Sequence, residues 1–222
     1  RRPVALGPGF TWRTPADDTA SLFFITNPNA PTSLLHDKAS VAAFCRTFRG
    51  VVLIDEAYGD FADDTCMDLA LAADNANTLV MRTFSKSFSL AGLRFGYVIG
   101  PAALVGALYK IKDSYNMDML AQVVGLAALN DLPYMQENVR RIRATRDRLT
   151  AELRRRGWTV CESQTNFLFA RPPDGDAARL FEALKAAKIY VRYFPGPETG
   201  DYLRITIGTE AQTDALLAAL PE

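Results

Sequence analysis

Apolar positions along this chain fall into short blocks bounded by turn-forming residues. SLFFIT (21–26), VVLI (51–54), TLVMRTF (78–84) and FGYVIG (95–100) are compact runs that read as strands. Between the first two, DKASVAAFCRTF sets Val41, Phe44, Cys45 and Phe48 on one helical face. VVLI breaks off into Asp55 and Glu56, the pattern of a buried parallel strand presenting side chains at its carboxyl end. The segment NPNAPTS (27–33) has the Asn and Pro density of a loop. Strand and helix alternate, which predicts an α/β domain with a mainly parallel sheet.

Beyond Pro101 the pattern becomes helical. From about Leu132 to Arg156 no Gly or Pro follows Pro133, and eight arginines follow Glu137. That basic run reads as the solvated face of a long connecting helix, with Val139, Ile142, Leu149 and Leu153 on the other side and Gly157 ending it. WTVCE, NFLFARP, IYVRYF and YLRITIG then read as shorter strands, with helices near 176–188 and at the end of the chain. Two domains are expected: a large one over 1–131, and the connecting helix with a small α+β domain over 132–222.

Charge and composition narrow the partners. Lys plus Arg equals Asp plus Glu at 25 each, so no global field draws nucleic acid or an acidic membrane. No apolar run reaches the roughly 18 residues a membrane helix requires. Cys45, Cys66 and Cys161 are odd in number and widely spaced, consistent with reduced, mostly buried thiols in a cytoplasmic protein. The only histidine is His36, which leaves little material for a histidine-based metal or nucleophile site.

Candidate chemistry gathers where strands end. Asp55 lies at the mouth of the sheet, where open α/β folds bind ligands, and Tyr58 follows it. Lys86 comes directly after the third run, in an apolar setting that predicts a buried, nucleophilic amine able to form an imine with an aldehyde. Thr83, Ser85, Ser87 and Arg94 surround it with the hydroxyls and guanidinium that hold a phosphate dianion. A lysine for the aldehyde, donors for the phosphate and a carboxylate for a pyridine nitrogen together fit pyridoxal 5'-phosphate.

NPNAPTS, VLIDEAYGDF, RTFSKSFSLAGLRFGY and YLRITIGT occur in the order and spacing of a known family. In them the chain resembles the class I/II pyridoxal-phosphate aminotransferases, and among these most the histidinol-phosphate branch. The resemblance implies fold-type I architecture: the C-terminal part of the large sheet domain plus the small domain. It implies that Lys86 is the cofactor-anchoring and catalytic lysine, that Asp55 partners the pyridinium, and that Tyr58 bonds the phenolic oxygen. Thr83, Ser85 and Arg94 would hold the phosphate; Arg204 and Arg192 would bind the anionic groups of the substrate. The implied reaction is amino transfer from glutamate to the ketone imidazole-acetol phosphate, giving 2-oxoglutarate and histidinol phosphate, in histidine biosynthesis by a cytoplasmic homodimer. A decarboxylase of the same fold, resembling threonine-phosphate decarboxylase, and a non-catalytic remnant acting by self-association are the alternatives.

Two departures accompany the resemblance. The family motif reads N-P-N-N-P-T-G, whereas Ala30 and Ser33 stand here at the second asparagine of the pair and at the final glycine; Asn29 or Asn27 is expected to substitute in part for the lost amide. The family's first third, with a phosphate loop and a ring-stacking aromatic, has no counterpart, so the chain reads as N-terminally truncated. With few helices ahead of Pro101, the sheet is expected to lack cover on one face. The isolated chain is then expected to self-associate, to bind the cofactor weakly and to turn over little.

Overall fold

The structure, a computed structural model, describes residues 2–15 and 19–221. The chain divides into two compact units, one of Arg1–Ala30 with Leu35–Gln136, the other of Pro31–Leu34 with Glu137–Glu222.

The first unit is built on a four-stranded sheet. Its strands are β1 (Leu22–Thr26), β2 (Val51–Asp55), β3 (Thr78–Thr83) and β4 (Gly96–Ile99), in that spatial order. The first three run parallel, while β4 pairs antiparallel with β3. Residues alternate faces along a strand, and burial follows: Val52 and Ile54 of β2 are buried, Val51, Leu53 and Asp55 less so. The buried set packs against α1 (Lys38–Thr47), whose Val41, Phe44 and Cys45 form a core with Ile25 and Val80. Asp37 caps α1 by accepting from the Ser40 amide at 2.8 Å. Asn77 ties the end of that helix to the start of β2, its Nδ2 donating to the carbonyls of Cys45, Phe48 and Gly50. A short helix, α2 (Met67–Leu71), adds Ala70 to the same core.

The opposite face is thinly covered. Phe24 is 64% exposed and Leu22 lies beside it on the same face of β1. Helices α3 (Ala102–Tyr109) and α4 (Met119–Asn130) follow the sheet. α4 lies close to Phe95, where a Cβ on Gly125 would come within 2.5 Å of the ring. Away from that contact its apolar side chains are open, Met119 being 77% exposed.

The second unit carries most of α5 (Leu132–Arg155) and a sheet of β5 (Thr159–Val160), β6 (Phe167–Arg171), β7 (Arg192–Tyr193) and β8 (Leu203–Thr206), in the order β5-β6-β8-β7. All its pairings are antiparallel. Outer strands β5 and β7 shrink to two residues each, far shorter than the apolar runs that suggested them. α6 (Ala177–Ala186) and α7 (Glu210–Ala219) complete a core containing Leu153, Leu168, Leu184, Leu203 and Ile205. Gly157, at φ +81, ends α5 in the left-handed conformation that glycine adopts without strain.

The basic face of α5 is solvated with one exception. Glu137 takes Arg140 and Arg141, and Glu152 takes Arg155 and Arg156; these guanidinium bonds hold both carboxyls down at about 2. Arg146 instead turns inward, is buried, and donates to the Thr165 carbonyl at 3.1 Å.

Candidate active site

The parallel register sets Thr26, Asp55 and Met81 side by side at the carboxyl ends of β1, β2 and β3. Thr83, two residues beyond Met81, shares that face of the sheet. Asp55 is half-buried, and its Oδ1 accepts from the Ala57 amide at 2.9 Å, an Asx-type turn that aims the chain toward Tyr58. β1 ends the same way: the Asn27 amide donates to the Asp55 carbonyl at 2.9 Å, and Asn29 Nδ2 donates to Thr26 Oγ1 at 2.7 Å.

Lys86 occupies the turn between β3 and β4. Its amine lies 5.3 Å from the centre of the Tyr58 ring. Among the described residues no hydrogen bond or ion pair engages that amine. The side chain is half-buried, which corrects the expectation of burial from the flanking apolar residues: Phe84 and Ser87 take the interior positions of the turn, and Lys86 points away from them. Thr83 Oγ1 donates to Ser85 Oγ at 2.9 Å and accepts from the Ser85 amide at 3.1 Å, so these two hydroxyls stand together. Arg94 is exposed and in the left-handed region at φ +53, with Nη1 donating to the Ala91 carbonyl; among the described residues no hydrogen bond joins it to Thr83 or Ser85.

A second layer of charge lies beneath. Glu56 is 1% exposed and its Oε2 receives Arg82 Nε at 2.9 Å, Arg82 Nη2 at 2.7 Å and the Thr65 hydroxyl at 2.7 Å. Its Oε1 receives the Cys66 amide. Burial, with the Glu56 charge beside it, pushes the Cys66 thiol up to about 12. Arg82 Nη1 reaches Asp60 at 2.7 Å, and the other Asp60 oxygen accepts from Ser87 Oγ. Sequence reasoning missed this network, although a charged residue inside the strand TLVMRT signals a buried partner.

In the second unit, Arg192 and Arg204 are direct cross-strand partners of β7 and β8. Both guanidiniums lie over the Phe194 ring, at 5.7 and 5.5 Å, and Arg204 also lies over Phe167 at 5.1 Å. Arg204 Nε is buried without a hydrogen-bond partner. Like charges directly opposite on a sheet repel, so the pair and its orphaned donor suit an anion.

Residues 13–220 match the family model for class I and II aminotransferases. The chain belongs to this family. It is 46% identical over 201 residues to histidinol-phosphate aminotransferase of Geobacter sp. (strain M21), which covers 90% of this chain and 57% of that protein. It is 42% identical to histidinol-phosphate aminotransferase 1 of Nostoc sp., covering 90% of this chain and 56% of that protein. A solved structure of histidinol-phosphate aminotransferase from Sinorhizobium meliloti in complex with pyridoxal-5'-phosphate superposes with TM-score 0.82 at 28% identity, over 91% of this chain and 56% of that one. The chain thus spans a little over half the length of these relatives. L-threonine-O-3-phosphate decarboxylase from Porphyromonas gingivalis shares the fold, with TM-score 0.76 at 23% identity over 92% of this chain and 65% of that one.

Both departures from the aminotransferase motif have structural consequences. Ser33 sits at φ +66, the backbone region that suits the family's glycine, and its buried hydroxyl has no partner. Asn27 is not available to replace the missing amide: it is buried, accepting from the His36 amide at 2.7 Å and reaching Cys66 Sγ at 3.6 Å. Asn29, half-buried at the end of β1, is bonded too, its Nδ2 donating to Thr26 Oγ1 at 2.7 Å.

Proposed function

We propose that this chain carries the cofactor-anchoring part of a pyridoxal-phosphate aminotransferase that moves the amino group between histidinol phosphate and 2-oxoglutarate. The observation that carries the reading is the uncommitted Lys86 amine against Tyr58, beside a strand end that presents Asp55. The donor set fits the cofactor: an amine for its aldehyde, a half-buried carboxylate for its ring nitrogen, a phenol for its ring oxygen, and the Thr83–Ser85 hydroxyl pair for its phosphate. Arg94 would join the phosphate donors by releasing the Ala91 carbonyl, and Asn29 would approach from β1.

Bound there, pyridoxal phosphate supplies an electron sink for the bonds at the amino-bearing carbon. Asp55 keeps the ring nitrogen protonated, which sets the depth of that sink. With the cofactor in place, Lys86 would take the proton from the substrate carbon at its amine and return it at the other end of the transfer. Tyr58 orients the amine through its ring face. Arg204 binds the carboxylate of the donor amino acid, and Arg192 with Arg204 binds the phosphate tail, two planar forks meeting oxyanions. The cytoplasm as setting and a homodimer as assembly complete this reading. No described helix is long and apolar enough to cross a membrane.

The test is a steady-state assay with glutamate. Formation of 2-oxoglutarate supports amino transfer; release of carbon dioxide without a keto acceptor replaces it with the decarboxylase reading. Arg192→Ala should raise KM for histidinol phosphate more than for phenylalanine. Equal loss for both would make Arg192 structural.

A further inference from the structure

The two loops that hold the candidate site are joined by a continuous run of charge. Glu56 and Asp60 flank Tyr58 on the segment leaving β2, and Ser87 adjoins Lys86 on the turn leaving β3. Arg82 bridges the carboxylates, with Nε and Nη2 on Glu56 and Nη1 on Asp60. Asp60 then divides its oxygens, one for Arg82 and one for the Ser87 hydroxyl. Gly59 makes the approach possible, since a Cβ there would stand 2.9 Å from Arg82 Cζ. Every member is buried or half-buried, so these bonds act in a low-dielectric setting where charged pairs are held firmly. Among the described residues the amine of Lys86 has no such bond of its own; it lies 5.3 Å from the centre of the Tyr58 ring.

We propose that Arg82, Asp60 and Ser87 form a clamp of positioning residues, anchored on buried Glu56, that sets the Lys86 amine against Tyr58. The clamp closes the segment bearing Asp55 and Tyr58 onto the turn bearing Lys86, so the amine is placed through its neighbour's hydroxyl while its nitrogen stays uncommitted. An ammonium held by its own carboxylate would be tied up; a lysine positioned through Ser87 is placed and still available.

The inference rests on Lys86 being the cofactor lysine, and two measurements on the whole chain separate the two ideas. In the first, pyridoxal phosphate is added, reduced with borohydride, and the label located by peptide mapping. In the second, without cofactor, a trace of acetic anhydride is applied and acetylation of Lys86 is compared with that of exposed Lys110 and Lys112. Ser87→Ala and Asp60→Asn should each lower cofactor fixation at Lys86 about tenfold, the factor matching one hydrogen bond to a charged acceptor. They should also raise acetylation of Lys86 toward that of Lys110, with the chain still folded because Arg82 keeps Glu56. Ser87→Thr should restore both values. Wild-type ratios in both Ser87→Ala and Asp60→Asn would overturn the clamp. Should the wild-type chain fix no cofactor on Lys86, the cofactor reading fails, and the acetylation ratio alone decides whether Ser87 and Asp60 hold the lysine.

Discussion

The amine of Lys86 and the ring of Tyr58 face each other at 5.3 Å, a cation over an aromatic face rather than a cation against a carboxylate. Such a contact is worth roughly 0.5–1 kcal/mol at exposed sites and about 2 when desolvated. It orients the amine without consuming its hydrogen-bonding capacity.

Lys86→Ala should therefore leave stability almost unchanged and abolish both borohydride fixation of pyridoxal phosphate and amino transfer. Lys86 is half-buried and, among the described residues, holds nothing else in place. Peptide mapping that finds the wild-type label on Lys110 or Lys112 would remove Lys86 from the role. Tyr58→Phe, which keeps the ring face, should retain more fixation than Tyr58→Leu.

Arg82 gives the opposite profile. Its side chain is only 13% exposed, and truncation strands Glu56, a carboxylate 1% exposed. Arg82→Ala should destabilise the chain by about 3–5 kcal/mol, the range for breaking a buried pair by removing one partner. Urea unfolding measures it. A loss below about 1 kcal/mol, the range of surface ion pairs, would show that water reaches Glu56 in place of the guanidinium.

How much of this was legible beforehand depended on whether a residue's role is local. An apolar run ending in a charge is a local pattern, and it located Asp55 and the Lys86 turn correctly at strand ends. The antiparallel direction of β4 was not legible, because periodicity reports burial and not direction. Arg82 lies on β3 and Glu56 just past the end of β2, and their pairing depends on register between those two strands. Arg146 was hidden for the same reason. Eight arginines follow Glu137, and nothing in their spacing says that this one donates to a carbonyl across the second unit. Ser33 was visible as a departure, but its left-handed backbone and unpartnered hydroxyl are facts of three dimensions.

Ser33→Gly should stabilise the protein. A non-glycine residue in the left-handed region costs roughly 1–2 kcal/mol, and an unsatisfied buried hydroxyl costs about 1–3 kcal/mol more. Glycine relieves both at an entropic cost of roughly 0.5–1 kcal/mol. A net gain of at least about 1 kcal/mol is expected in denaturant unfolding. A loss would mean that the hydroxyl is satisfied by bound water.

The cysteines set an alkaline limit. Burial pushes Cys66 up to about 12 and Cys161 up to about 11 from an ordinary thiol value of 9.0, with desolvation the leading cause for each. Folded thiols that hold their protons longer than unfolded ones contribute stability in full below pH 9, and that contribution is lost as pH rises toward 11–12. Denaturant midpoints should decline across that window, and the decline should shrink in Cys66→Ala. A decline of the same size in Cys66→Ala would assign it to other groups.

The apolar surface of the first unit predicts self-association. A helix apolar around most of its circumference belongs in an interior, yet on α4 Met119, Leu120, Val123 and Leu126 all stand exposed, and β1 leaves Phe24 bare. Soluble monomers rarely carry open apolar patches of more than a few hundred Å². A second copy of the chain is the occupant consistent with the homodimer proposed above, and its net charge of zero offers no repulsion to oppose the approach. Sedimentation velocity should show mass rising with concentration. Val123→Glu with Leu126→Glu should shift the distribution to monomer while leaving the fold intact, since both side chains already face solvent. A wild-type chain that stays monomeric at every concentration would show that these faces are tolerated bare, and the pair of substitutions would then change solubility alone.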